Sequence, residues 1–136
     1  MLRGVDPAAK RSVLIADDEP LLRRLMERIL RADGFDVVSV GDGDSAVAEA
    51  TRDTAGALAA IVLDVGMPPR GGTSALRDIL ERRPGLGFVV TSGLSPDAQL
   101  RDLLDARGGV FLPKPFAPEA LVRAVHEAAA AAAVPR

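Results

Sequence analysis

Five short aliphatic runs constrain the fold of this 136-residue chain more than any other feature. They are Val13-Leu14-Ile15-Ala16, Val37-Val38-Ser39-Val40, Ala60-Ile61-Val62-Leu63, Phe88-Val89-Val90-Thr91 and Val110-Phe111-Leu112. Each has the length and the β-branched or aliphatic content of a strand, and the central ones are apolar at successive positions, not alternate ones. A strand apolar on both sides must be covered on both sides, which is the condition of a parallel sheet layered between helices. The intervening segments supply those helices. Leu21, Leu22, Leu25, Met26, Ile29 and Leu30 recur at helical spacing, with Arg23, Arg24, Glu27, Arg28 and Arg31 on the other side, and the pattern stops near Gly34. Ser95-Pro96 reads as a cap and first helical residue before Leu100, Leu103 and Leu104, and Pro118 opens another helix before Leu121, Val122 and Val125. Residues 45–51 and 73–82 fit weaker helices. Strand and helix thus alternate five times, and the predicted fold class is α/β, a doubly wound five-stranded parallel sheet with five helices.

Composition narrows the chemistry. At 48% hydrophobic and 26% charged residues the chain can form a core and is not a disordered segment. Seventeen Lys+Arg against 19 Asp+Glu leave a net charge of −2, with no general attraction to nucleic acid or to a membrane surface, so neither is expected as a partner. The absence of cysteine removes disulfides, thiolate metal sites and cysteine nucleophiles, and fits a reducing compartment. No apolar run approaches the roughly 20 residues of a membrane span, and the first residues lack a signal-like apolar stretch, so the expected location is cytoplasmic. Residues 1–11 read as a tail, 12–133 as one domain and 134–136 as a short C-terminal end.

Right-handed crossovers bring the C-terminal ends of all strands to one edge, where such sheets bind ligands. Asp17, Asp18 and Glu19 follow the first run, Asp64 the third, Ser92 and Gly93 the fourth, and Lys114 and Pro115 the fifth. Carboxylates gathered there repel: two unit charges about 4 Å apart cost on the order of 4 kcal/mol at an effective dielectric near 20. A cation is needed, and an all-oxygen set without His or Cys suits a hard divalent ion, with Mg²⁺ the best fit. Together with Lys114 as a fixed positive charge and Ser92 as a hydroxyl donor, this chemistry suits a phosphoryl group.

Asp17-Asp18, then Asp64-Val65-Gly66-Met67-Pro68 with Gly72, then Ser92-Gly93, then Lys114-Pro115-Phe116: in this order and spacing the chain resembles the receiver domain of two-component response regulators over residues 12–133. The wording of 91–94 and 111–116 is similar to receivers carried by hybrid histidine kinases. The resemblance implies a flavodoxin-like topology and a set of roles. Asp64 would accept a phosphoryl group from phosphohistidine on a histidine kinase or histidine phosphotransfer protein. Asp17, Asp18, Asp64 and the Gly66 backbone carbonyl would hold Mg²⁺. Ser92 would hydrogen-bond a phosphoryl oxygen and move toward it, Gly93 would leave room for the attacking group, and Lys114 would pair first with Asp64 and then with the phosphoryl group. The Lys114–Pro115 bond is expected to be cis, and Ser92, Phe111 and Pro115 form the implied switch. Phe111 stands where relatives often carry Tyr, so a phenol hydrogen bond is unavailable. Gly66 and Leu94 stand where relatives often orient a hydrolytic water with polar side chains, so slow self-dephosphorylation is expected. The implied protein is a signalling switch that catalyses its own modification, not an enzyme acting on a separate substrate. Its downstream protein target is unspecified, and a homodimer is allowed.

Each of these residues also has a plainer reading. The early acids can cap the first helix, Asp64 can end a strand, Ser92 before Gly93 is common turn chemistry with Thr91 as a neighbouring hydroxyl, and Phe111 can be core. His126 reads as a solvated helix residue, the arginines of the first helix as a solvated face or a dock for an acidic partner, and residues 128–133 as an alanine-rich end that frays or rests on something else. Gly41-Asp42-Gly43-Asp44-Ser45-Ala46 fits a dinucleotide-binding fingerprint, yet Asp42 and Asp44 would put two negative charges where a pyrophosphate must rest. A pseudo-receiver, the same fold kept as a binding module and never phosphorylated, is the remaining alternative; the full set of acids, lysine and hydroxyl argues against it.

Overall fold

The computed structural model describes residues 11–52, 57–68 and 71–132; the expected tail up to residue 10 and the end from 133 lie outside them. The elements run β1 (Ser12–Ala16), α1 (Pro20–Ala32), β2 (Asp36–Val40), α2 (Gly43–Ala50), β3 (Leu58–Asp64), α3 (Gly72–Arg82), β4 (Gly87–Ser92), α4 (Ala98–Arg107), β5 (Val110–Pro113) and α5 (Pro118–Ala132). All strands pair in parallel in the order β2-β1-β3-β4-β5, so every aliphatic run of the sequence is a strand of one sheet.

The period of two along each strand divides the core into two layers. Val13, Ile15, Ala60, Val62, Val89 and Leu112 face α1 and α5, where Met26, Leu30, Leu121 and Val125 meet them. Leu14, Ile61, Leu63, Phe88 and Val90 face α2, α3 and α4, against Ala46, Leu76, Ile79, Leu80 and Leu100. Each of the large aliphatic side chains contributes about 2 kcal/mol by leaving water.

Local signals and the structure differ at a few points. α4 does not start at Pro96. Its N-cap is Asp97, whose side chain accepts from Leu100 N at 2.9 Å, because a carboxylate both bonds the orphan amide and complements the helix dipole. α2 starts at Gly43, earlier than residue 45, because Asp42 caps it by accepting from Ser45 N at 2.8 Å; the dinucleotide look-alike is a helix cap. The alanine-rich end neither frays nor waits for a cover within the described residues: Ala128 and Ala129 are buried, and the small side chains let the α5 backbone lie directly on the sheet at Gly87. His126 is not simply solvated. Its Nε2 lies 2.6 Å from Asp33 Oδ2 and its ring sits 5.4 Å from that of Phe35, which ties α5 to the end of α1. Nor are all the α1 arginines free in solvent: Arg31 pairs with Glu27 at 3.3 Å and donates to the Val37 carbonyl at 3.2 Å.

Candidate functional site

The strand order decides what can meet at the C-terminal edge. Asp17 follows β1, Asp64 ends β3 beside it, Ser92 ends β4 next door, and Lys114 follows β5 at the sheet's border. Lys114 must therefore reach over β4 and β3 to touch an acid on β1, and it does. Its Nζ donates to Asp17 Oδ2 at 3.0 Å, Asp64 Oδ2 at 3.3 Å and Glu19 Oε2 at 3.4 Å. The Lys114–Pro115 peptide bond is cis, in agreement with the expectation from sequence.

Each acid is oriented by its own loop. Asp17 Oδ1 accepts from Glu19 N at 2.8 Å and Asp64 Oδ1 accepts from Gly66 N at 2.9 Å, so in both residues one oxygen is held by backbone and the other is offered to the amine. Asp17 caps no helix in the ordinary sense, and Glu19, at the N-cap of α1, makes no side-chain cap bond. Backbone bonds lock the loops to neighbouring strands: Asp17 N to Val40 O at 3.1 Å, Val65 N to Thr91 O at 3.1 Å and Lys114 N to Ser92 O at 2.8 Å. α3 begins immediately above the C-terminal end of β3. A Cβ on Gly72 would lie 2.4 Å from the Asp64 carbonyl oxygen, so only glycine permits that approach.

The electrostatics follow from burial. Asp17 is 0% exposed and Asp64 6% exposed, whereas Asp18 opens to solvent. Burial pushes the Asp17 carboxyl above the usual carboxylate range, against the Glu19 amide and the Lys114 charge, which favour the ionised form. Burial alone would lower Lys114; its hydrogen bond to Asp17 and the charges of Asp17 and Asp64 outweigh that and raise it. One ammonium thus faces Asp17, Glu19 and Asp64, with Asp18 at the mouth. Carboxylate oxygens of Asp17, Asp18 and Asp64 lie within 4.8 Å of one another, close enough for one cation to be shared. The donors are all hard oxygens and the mouth is open at Asp18, which fits a divalent ion that keeps some of its waters.

The remaining expected site residues are distributed around this cluster. Gly66 is exposed, with a Cβ there lying 3.4 Å from Asp64 Oδ1, and a Cβ on Gly93 would meet nothing within 4 Å, so the space at Gly93 is open. The Ser92 hydroxyl accepts from Leu94 N at 3.0 Å, which is the turn chemistry of the plainer reading. Thr91, on the opposite face of the strand, is fully buried. Phe111 is half-buried and packs against the α2–α4 layer. Pro115 lies with Phe116, Leu22, Leu25 and Ile29 along a groove of about 460 Å³ that runs from Glu19 and Lys114 between α1 and α5. Two contributors were given no site role by the sequence. Glu19 was visible as an acid beside the pair; Arg23, assigned to the polar face of α1, carried no local signal of its bond to the Asp17 carbonyl at 2.6 Å.

The family model of the response regulator receiver domain matches residues 13–126. The chain belongs to that family. Among its relatives, this receiver domain is 33% identical over 126 residues to the sensor kinase CckA of Brucella abortus, covering 92% of this chain and 13% of that protein. It is 34% identical over 122 residues to the transcriptional regulatory protein PdtaR of Mycobacterium tuberculosis, covering 89% of this chain and 58% of that one. The chain therefore spans only part of these relatives. Among solved structures, the receiver domain of the sensor histidine kinase PA1611 of Pseudomonas aeruginosa, described with a magnesium ion coordinated in its active site cleft, superposes with a TM-score of 0.75 at 27% identity, over 90% of this chain and 99% of that one. The doubly wound, flavodoxin-like receiver topology expected from the sequence is the topology of the family.

Proposed function

We propose that this receiver domain accepts a phosphoryl group from phosphohistidine, on a histidine kinase or histidine phosphotransfer protein, onto the side chain of Asp64. The observation that carries the reading is the convergence of Lys114 on Asp64 and Asp17, within a group of carboxylates close enough to share one ion. Asp17, Asp18 and Asp64, with the Gly66 carbonyl, would hold Mg²⁺, a reading supported by the magnesium ion coordinated in the active site cleft of the PA1611 receiver. When bound, that ion neutralises charge on the phosphoryl oxygens.

The chain's own groups do the rest. An Asp64 carboxylate oxygen attacks phosphorus as the nitrogen–phosphorus bond of the donor breaks, and the imidazole departs with the electron pair. The Gly66 amide holds Asp64 Oδ1, leaving Oδ2 on the side of the amine. Lys114 moves its donors from the carboxylates to the phosphoryl oxygens. Ser92 exchanges its bond with Leu94 N for one to a phosphoryl oxygen, and the rearranged β4–α4 loop alters Phe111, Pro115 and the face of α4, β5 and α5, which a downstream protein reads. The phosphodonor has an apolar seat to dock on: Leu25, 50% exposed, lines the groove that leads to Lys114, and Leu21, one turn before it on α1, is 80% exposed. Among the described residues no helix is long and apolar enough to cross a membrane, and we place the domain in the cytoplasm with its donor.

Labelling by acetyl phosphate tests the reading. The parent is expected to gain one phosphoryl group only with Mg²⁺, and Asp64→Asn to gain none, as read by intact mass. Equal labelling of the two would remove Asp64 as acceptor; labelling of neither would favour a binding module.

A further inference from the structure

We propose that Arg23 is a positioning residue of the acidic site, and that residue 41 is glycine so that the Arg23 guanidinium can pass. The inference rests on the metal-dependent reading above and assigns work to two residues that reading does not use.

Asp17 is wired at almost every polar atom. Its amide donates to Val40 O at 3.1 Å, its Oδ1 accepts from Glu19 N at 2.8 Å, and its Oδ2 accepts from Lys114 at 3.0 Å. The carbonyl oxygen remains. At this point the backbone has left the β1 ladder and has not entered α1, so neither element supplies a donor. Arg23 Nη1 supplies it at 2.6 Å, a charge-assisted bond from one turn inside α1. The half-buried side chain runs back along its own helix to the loop that carries Asp17 and Asp18.

Gly41 is the second observation, and it lies on a different segment. It follows Val40, the last residue of β2, whose carbonyl already takes the Asp17 amide. A Cβ at residue 41 would sit 3.1 Å from Arg23 Nη1 and 3.8 Å from its Cζ, so even a methyl group there presses on the guanidinium by a few tenths of an ångström, and a larger side chain competes for its place. The guanidinium is therefore held between the loops that follow β1 and β2. The small size of Gly41 serves this approach and not a phosphate: the glycine that made residues 41–46 look like a dinucleotide loop leaves room beside the Arg23 guanidinium where it reaches Asp17.

The effect expected is on ion affinity. With the carbonyl tied, the Asp17 side chain leaves a fixed backbone and already points at Asp64 and Lys114. Without it the loop must be ordered when the ion binds, and groups that orient metal ligands from behind typically change affinity about 10–100-fold.

The test uses the full chain with Mg²⁺ and acetyl phosphate, and reads both the Mg²⁺ dependence of melting temperature and the Mg²⁺ concentration giving half-maximal labelling. Arg23→Met is expected to raise that concentration about tenfold, with the labelling rate recovering toward the parent's at saturating Mg²⁺. Arg23→Lys, which keeps the positive charge and a donor on a shorter side chain, should recover part of the loss. Gly41→Val, which leaves α1 untouched, should shift the parent in the same direction and add nothing to Arg23→Met. A purely structural Arg23 would lower the melting temperature and leave half-saturation where it was; that result, or additive losses from the two sites, overturns the proposal. A parent chain that responds to Mg²⁺ while Arg23→Met matches it overturns this inference alone. A parent that neither responds nor labels overturns the phosphoacceptor reading and this inference with it.

Discussion

Thr91 and Lys114 are the two residues whose energetics the fold makes sharpest. Thr91 stands opposite Asp64 in the sheet register, fully buried, and its hydroxyl has no hydrogen-bond partner among the described residues. An unsatisfied buried hydroxyl costs about 1–3 kcal/mol, and valine has the same shape without it. Thr91→Val should therefore raise stability by about 1 kcal/mol, read as a higher urea midpoint at unchanged slope; a lower midpoint would show that the hydroxyl is bonded. Lys114 makes a prediction about pH. Its folded-state pKa is raised from the ordinary 10.5 by Asp17 and Asp64, so the folded state holds this proton more tightly than the unfolded one. The stability it contributes is complete below 10.5 and is lost as pH climbs through the higher folded value. Lys10 and Lys114 are the only lysines, and there is no tyrosine or cysteine, so little else titrates there. The melting temperature should fall with rising pH in that window, and Lys114→Met should flatten the fall.

At the scale of elements, the site depends on where helices are allowed to begin. α3 starts at Gly72 with its backbone against the Asp64 carbonyl, and Gly72 N donates to Val65 O at 3.1 Å. A methyl group there must push the helix from the end of β3, at the about 1–3 kcal/mol typical of overpacking. Gly72→Ala should lower the melting temperature and slow labelling of Asp64 together; a thermal melt identical to the parent's would show that α3 can yield. Helix existence was legible from the spacing of Leu21 to Leu30 and of Leu100 to Leu104, because that spacing is a property of neighbours in the chain. The starting residue was less so. Ser95 and Asp97 are both good caps, and burial of Leu100 and Leu104 against the sheet sets the helix that Asp97 then caps.

For the whole molecule, the acidic edge is a cost of folding that a bound divalent cation would offset. Such an ion would need acids from the ends of β1 and β3 at once, so it would bind the folded chain and not the unfolded one. At ten times its dissociation constant Mg²⁺ should add about 1.4 kcal/mol, enough to raise the melting temperature by several degrees, and Asp17→Asn should abolish the gain. A melt unchanged in millimolar Mg²⁺ would contradict the site. The same scale separates what could be read early from what could not. The sequence alone determined five buried strands, their alternation with helices, and the residue types that each strand delivers to its C-terminal end, since these depend on periodicity and on chain order. Tertiary structure decided which of them touch. Lys114 and Asp17 are 97 residues apart and His126 and Asp33 are 93 apart; their meeting follows from strand order and helix packing. Arg23 looked like any solvated arginine because nothing within a helical turn reveals a carbonyl left without a donor or the space above a glycine in the next loop. Local pattern measures the energy of neighbours along the chain, whereas a site spanning several strands is set by burial and by distances that exist only once the sheet has closed.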